Sequence, residues 1–179
     1  MCLTTTARRS WWIASKLKIN GQPQRGYLTM DFILHGYCGV YCGACPVVLE
    51  TKDGRIGEDK QCYGCKSEKP TGYCATCGIK VCAQRKGYEF CNQCGELKTC
   101  ELMQKFVSDK QYPYGQCVLK NMETIRVMGL PKWVEMQDGR WRCKNCGASY
   151  SWYEETCRQC GQAVASYKAD LHSASEPNC

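Results

Sequence analysis

Long apolar runs are missing from this chain. No stretch approaches the ~20 apolar residues of a membrane-spanning helix, so the sequence argues against a membrane protein. Imidazole is nearly missing too: 179 residues hold 2 His and 3 Phe. His172 falls in a polar C-terminal stretch, which leaves His35 as the one imidazole able to join a metal site, and a structural or surface role suits it better. There is no Gly-rich phosphate loop, no Ser-x-x-Lys and no Ser/His/Asp set, so nothing in the chain calls for hydrolytic or phosphoryl-transfer chemistry. An export signal is not visible either. Arg8-Arg9 precedes Trp11, Trp12, Ile13 and Ala14, but Lys16 and Lys18 break that run short of the ~7–15 apolar residues of a signal core.

What the chain has in excess is cysteine, 18 in all. That is roughly one residue in ten, beyond ordinary usage. Spacing decides what these thiols are for. Cys-x2-Cys recurs at Cys42/Cys45, Cys62/Cys65, Cys74/Cys77, Cys91/Cys94, Cys143/Cys146 and Cys157/Cys160. Two thiols three positions apart on a tight turn reach one ion at the ~2.3 Å of a Zn–S bond. A disulfide gains most by closing a long loop, so the repeated short gap is poor stapling. The pattern therefore points to metal in a reducing cytoplasm, not to a secreted disulfide framework. With few large apolar residues, the N-terminal two-thirds is expected to lean on metal in place of a self-sufficient core.

The formal charge of +7 suggests a polyanion partner at first sight. Arg8, Arg9, Lys16, Lys18 and Arg25, with no acid among them, carry five of those charges in residues 1–29. The remainder is nearly balanced, and each four-thiolate zinc site adds negative charge. Nucleic acid is thus a weakly supported partner, resting on Arg140, Arg142 and Lys144 beside Trp141, Trp152 and Tyr153. A protein partner is the favoured class.

Along the chain, residues 1–29 read as a basic disordered extension, with Met30 as the natural start. Residues 30–110 form a cysteine-rich metal-binding domain with short helices. Pro46 opens one through about Lys52, another carries Cys82 with Gly87 beyond its end, and a longer one runs from about Leu97 to Val107. Residues 111–138 read as a helical connector, its apolar Val118, Met122, Ile125 and Met128, then Trp133, Val134 and Met136, forming the seam between the two metal modules. Cys117, without a near partner, reads as a buried thiol. Residues 139–164 read as a four-cysteine zinc ribbon. A turn at Asp138-Gly139 leads into Cys143-Lys-Asn-Cys146-Gly147, then a strand pattern over Ser149–Tyr153, then Cys157-Arg-Gln-Cys160-Gly161. Residues 165–179 read as a loose tail. The expected fold is a small, irregular α+β metal-stabilised one: a zinc-knuckle-rich module with short helices plus a C-terminal β zinc ribbon.

The ligand candidates are Cys143, Cys146, Cys157 and Cys160 in the C-terminal unit, and Cys38, Cys42, Cys45, Cys62, Cys65, Cys74, Cys77, Cys82, Cys91, Cys94 and Cys100 in the first. About three zinc ions are expected from this set. Within the first cluster, one grouping pairs Cys42/Cys45 with Cys62/Cys65 and Cys74/Cys77 with Cys91/Cys94. An alternative second site is Cys82, Cys91, Cys94 and Cys100. One [4Fe–4S] cluster is also chemically permitted. Cys38-x3-Cys42-x2-Cys45 has the spacing of radical S-adenosylmethionine enzymes, but the chain has no room for the barrel such enzymes need.

The order Tyr37-Cys-Gly-x-x-Cys-Gly-x-Cys-Pro46, Cys62-x-Gly-Cys65, Cys74-x-x-Cys-x-Ile79, Cys82-Ala83, Lys86-Gly87, Cys91-x-x-Cys94 and Cys100 resembles a cysteine-rich prokaryotic family, domain-of-unknown-function family 3795. The resemblance spans about residues 35–106. Gly129-x-x-Lys-Trp133 and the later Arg140-Trp-Arg-Cys143 look like the longer members. It implies a metal-binding protein of bacteria or archaea, with no reaction attached to it. The functional expectation is a zinc-binding, non-catalytic binding or adaptor module. The alternatives are an iron–sulfur redox or accessory protein using Cys38, Cys42 and Cys45, and a nucleic-acid adaptor.

Overall fold

The computed structural model describes residues 31–168. The basic segment 1–29, the Met30 start, His172 and the tail beyond residue 168 lie outside the described residues. Among the described residues, five α-helices follow in order: α1 Pro46–Lys52, α2 Gly78–Arg85, α3 Glu101–Ser108, α4 Val118–Met128 and α5 Leu130–Arg140. Single 3-10 turns at Cys42–Ala44, Gly72–Ala75, Cys91–Gln93, Leu97–Thr99 and Pro113–Cys117 fill the intervals.

Local sequence explains the helix limits. Pro46 sits in the first turn of α1, where its missing N–H costs nothing and its fixed φ suits the helix. Thr51 turns its hydroxyl back to the Val47 carbonyl at 2.7 Å and accepts the Cys62 amide at 3.0 Å, tying the second knuckle to the helix. The helix expected from Leu97 to Val107 is two pieces, a 3-10 turn and then α3, because Cys100 is extended at φ −66°, ψ 111° and starts the second piece as its N-cap. Helix α4 buries Val118, Asn121, Met122 and Ile125, spaced three and four apart on one face. Gly129 at φ +82° ends it and Pro131 starts α5. That helix continues through Asp138-Gly139, where the sequence suggested a turn, because Trp133, Gln137 and then Trp141 keep a buried stripe at four-residue steps.

The expected β element does not form. Among the described residues there is no strand and no sheet, only the isolated bridges His35↔Tyr41, Arg142↔Ser149 and Thr156↔Ala163. The α+β class and the C-terminal β zinc ribbon are therefore corrected: the described chain is helices, turns and knuckle loops. The reason is visible around Ser149–Tyr153. The Tyr150 amide bonds the Trp141 carbonyl at 3.1 Å, but the Trp152 amide goes to Ala44 O at 3.3 Å, in the N-terminal cluster. From Ser151 to Glu154 the backbone turns, with the Glu154 carboxylate accepting the Ser151 amide at 2.8 Å and the Glu154 amide bonding Ser151 O at 3.2 Å. A ladder of repeated bonds cannot continue through that turn.

One apolar cluster joins both cysteine regions. It runs from Val40, Tyr41 and Ala44 through Met103, Val118, Met122 and Trp133 to Trp141, Tyr150, Trp152 and Tyr167. Tyr41 meets Trp133 edge-on at 5.9 Å, and Trp141 meets Tyr167 edge-on at 4.9 Å. Of the seam positions, Val118, Met122, Ile125 and Trp133 are buried, while Met128 and Met136 are exposed. Ser166 and Tyr167, in the stretch expected to be loose, are buried.

Candidate metal centres

The C-terminal cysteines converge first. Sulfurs of Cys143, Cys146, Cys157 and Cys160 all lie within 4.8 Å of one another, Cys143 to Cys160 at 3.6 Å and Cys146 to Cys157 at 3.5 Å. Four sulfurs bound tetrahedrally to one ion at ~2.3 Å stand roughly 3.8 Å apart. The spacing is thus that of a single-ion site, and four thiols can hold a metal there. Two identical loops build it. Gly147 and Gly161 take φ of +75° and +74°, and their amides bond Cys143 O and Cys157 O, both at 2.8 Å. A side chain at either glycine would resist that left-handed turn. The turn leaves the Ala148 amide aimed at the Cys146 sulfur and the Gln162 amide at the Cys160 sulfur.

These contacts separate the thiols electrostatically. The Asn145 side chain and the Gln162 amide, donating to Cys160, lower its pKa to about 6. Cys146 keeps the Ala148 amide but is pushed up to about 12 by desolvation and by the neighbouring thiols of Cys157, Cys160 and Cys143. Cys143 and Cys157 are buried, and Cys146 and Cys160 face solvent.

The eleven cysteines of the first cluster separate into two sets. Cys38, Cys42, Cys45, Cys62, Cys65, Cys74 and Cys77 line one cavity of about 210 Å³, with Tyr73, Phe106, Tyr114 and Trp152 on its walls. Cys82, Cys91, Cys94 and Cys100 line another of about 30 Å³. The knuckles Cys74/Cys77 and Cys91/Cys94, paired in the first grouping, face different cavities. Among the described residues, no group of three or more ligand atoms outside the C-terminal quartet meets the same 4.8 Å spacing.

In the larger cavity, the Cys74 thiol hydrogen-bonds the Cys65 sulfur, which brings Cys65 down to about 6 and drives Cys74 well above its usual value. The Tyr37 amide and the ammonium groups of Lys80 and Lys66 add to the effect on Cys65. Gly36 lies beside this cavity: a Cβ there would stand 3.6 Å from the Cys38 sulfur and 3.7 Å from that of Cys65. Burial raises Cys38 and Cys42. His35 joins no metal group. It stacks on Phe90 with ring centres 5.3 Å apart, and burial and Lys66 lower its pKa. Cys117 is fully buried but disulfide-bonded, not the free thiol expected.

This first region also has a counterpart among known families. Residues 34–105 match the family described as protein of unknown function, DUF3795. The DUF3795 match takes in all eleven cysteines of the two thiol-lined cavities and stops short of Cys117 and of the C-terminal quartet. No curated protein and no solved structure matches the chain. No helix among the described residues is long and apolar enough to cross a membrane.

The set Cys82, Cys91, Cys94 and Cys100 is the alternative grouping the sequence left open, and α2 carries Cys82 into it. What escaped the sequence is the aromatic wall on the seven-thiol cavity, which Tyr114 and Trp152 bring from distant parts of the chain, their rings 4.2 Å apart.

Proposed function

We propose that the chain is a metal-held, non-catalytic binding module, and that its C-terminal quartet carries one zinc ion as a folding cross-link. The observation that carries this reading is the mutual spacing of Cys143, Cys146, Cys157 and Cys160 at single-ion distance. Four thiolates fill all four positions of a tetrahedral ion and leave none for a reacting water, which is the pattern of a structural site. The loops that supply them have no sheet of their own, so the ion is what fixes one knuckle on the other. Fifteen free cysteines among the described residues, against the one disulfide-bonded Cys117, suit a reducing, cytoplasmic setting.

A protein is the partner class that accords with this reading. Several of the cations and rings that would meet nucleic acid have partners within the molecule. Arg140 lies over Trp141 at 4.6 Å and over Tyr167 at 4.9 Å, and Arg142 makes bonds of 2.9 and 3.1 Å to the Asp138 carboxylate. Trp141 and Trp152 are buried.

Elemental analysis of the chain and of Cys146→Ser/Cys160→Ser tests the reading. The expected result is one zinc per chain lost in the double variant. Zinc content unchanged by the substitution, or a quartet that binds no zinc, would overturn it. Single-stranded oligonucleotides are expected to show no salt-dependent binding.

A further inference from the structure

We propose that the loop between the two C-terminal knuckles is a lid on the seven-thiol cavity, and that an ion at the quartet holds this lid shut. Metal at one site then controls access to the thiols of the other. The inference rests on the reading of the quartet as a zinc site and gives that ion a second task.

The placement of Trp152 carries it. The walls of the seven-thiol cavity come from residues 36–79, with Phe106 and Tyr114 from further along the chain. Among the described residues, Trp152 is the one wall residue supplied by the C-terminal unit. It lies midway between Cys146 and Cys157, so the loop that carries it is rooted at both ends in the quartet. Its side chain is buried, and its ring centre stands 4.2 Å from that of Tyr114. Tyr153, the next residue, meets the same Tyr114 edge-on at 6.4 Å. Behind this wall Cys42, Cys62, Cys65 and Cys77 are buried. A buried indole covers roughly 150–250 Å², so taking it away opens the cavity on that side.

Backbone bonds hold the loop from two sides. The Trp152 amide donates to the carbonyl of Ala44, the fully buried residue just before Cys45, at 3.3 Å. The Trp152 carbonyl accepts the Lys168 amide at 3.1 Å. The Ala44 bond is longer than the ~2.9–3.0 Å usual for N–H···O, so closure leans on ring packing and on where the two knuckles hold the ends of the loop. Segments held in this way open locally at low cost. The four sulfurs converge in the same structure in which Trp152 closes the wall. An ion that needs the first arrangement favours the second, by as much as it prefers this state over one with the knuckles apart.

The test uses the full chain, reduced and stripped of metal without oxygen. It is labelled with N-ethylmaleimide before and after one equivalent of zinc is added, and peptide mapping reads each cysteine. In the wild type, zinc is expected to protect Cys146 and Cys160 directly. It is also expected to slow labelling of Cys42, Cys62, Cys65 and Cys77 by about tenfold, within the roughly 5–150-fold of ordinary coupling between sites. Trp152→Ala is expected to keep the protection of Cys146 and Cys160, which shows that its quartet forms, and to lose that of the cavity. Trp152→Phe keeps a ring on the wall and is expected to retain most of it. In Cys146→Ser/Cys160→Ser, zinc is expected to leave cavity labelling unchanged, a result that does not depend on how well Trp152→Ala folds. Cavity protection in that double variant would mean that zinc enters the cavity itself, and it overturns the proposal. Cavity protection retained in Trp152→Ala overturns it as well. In the wild type, protection of the quartet alone overturns the lid and leaves the zinc reading standing, whereas protection of neither set overturns both.

Discussion

The sulfurs of Cys143 and Cys160 stand 3.6 Å apart although the two residues belong to different loops. No sheet holds those loops together among the described residues: the bridges Arg142↔Ser149 and Thr156↔Ala163 each close one loop on itself. On the proposed reading, an ion bridging the thiols ties one loop to the other. Replacing Cys143 with Ser is expected to release the ion. The loss of stability should exceed the ~0.5–3 kcal/mol of ordinary substitutions, since losing a metal belongs to the large-effect mechanisms. Thermal unfolding and zinc content measured on the same sample check this. An unchanged melting temperature with the ion gone would show that the aromatic packing alone holds the loops.

The low pKa of Cys160 gives the quartet a marked first site of reaction. In the metal-free chain at neutral pH, Cys160, at about 6, is mainly thiolate, whereas Cys146, at about 12, is thiol. Alkylation followed by peptide mapping is expected to mark Cys160 before Cys146, the rate at Cys160 falling as pH drops through about 6. The sign for stability follows from a folded value depressed below the ordinary 9.0 of a free thiol. The contribution of Cys160 to the metal-free fold is full above that value and fades as pH falls toward about 6. Metal should protect both thiols. Equal rates at the two cysteines in the metal-free chain would contradict the hydrogen-bond assignment.

Gly64, in the Cys62-Tyr-Gly-Cys65 knuckle, has φ +113°, and a Cβ there would lie only 1.9 Å from the Ile33 carbonyl oxygen. Backbone cannot yield as a side chain can. Gly64→Ala is expected to cost more than ~3 kcal/mol and to displace Cys62 and Cys65 from the seven-thiol cavity. Unfolding by denaturant, with metal content, reads both effects. A variant with wild-type stability would show that the knuckle has another conformation available.

Asn121 connects three parts of the molecule. It is buried in α4, donates to the Gly39 carbonyl at 2.9 Å and lies 3.4 Å from the Trp133 indole nitrogen, which donates to it. Asn121→Leu leaves both partners without their bond inside the core, at a cost of ~1–3 kcal/mol per stranded group. The loop that carries Cys38 is expected to loosen, seen as faster amide exchange around Gly39. No change in exchange there would place the restraint on Cys38 elsewhere.

Much of the site could be read from spacing, and less of the fold. Pro46 and Gly87 marked helix limits because a fixed φ and a positive φ act within one or two residues. The Cys143/Cys146 and Cys157/Cys160 knuckles were legible for the same reason, since Gly147 and Gly161 set the turn that brings each pair together. The missing sheet was not legible. Alternation over Ser149–Tyr153 is a local signal, while the bond that diverts Trp152 to Ala44 is set by packing between residues more than a hundred positions apart. The Cys82 grouping was open for a similar reason: whether Cys82 joins the knuckle before it or after it depends on which side of α2 meets the core, and Ile79 and Ala83 decide that.

X-ray absorption at the zinc edge of the anaerobically purified full chain tests the central claim most directly. Four sulfur neighbours at ~2.3 Å and no nearby second metal are predicted, from one ion inside Cys143, Cys146, Cys157 and Cys160. Nitrogen or oxygen neighbours in place of sulfur, or a chain with no bound zinc to measure, would contradict it.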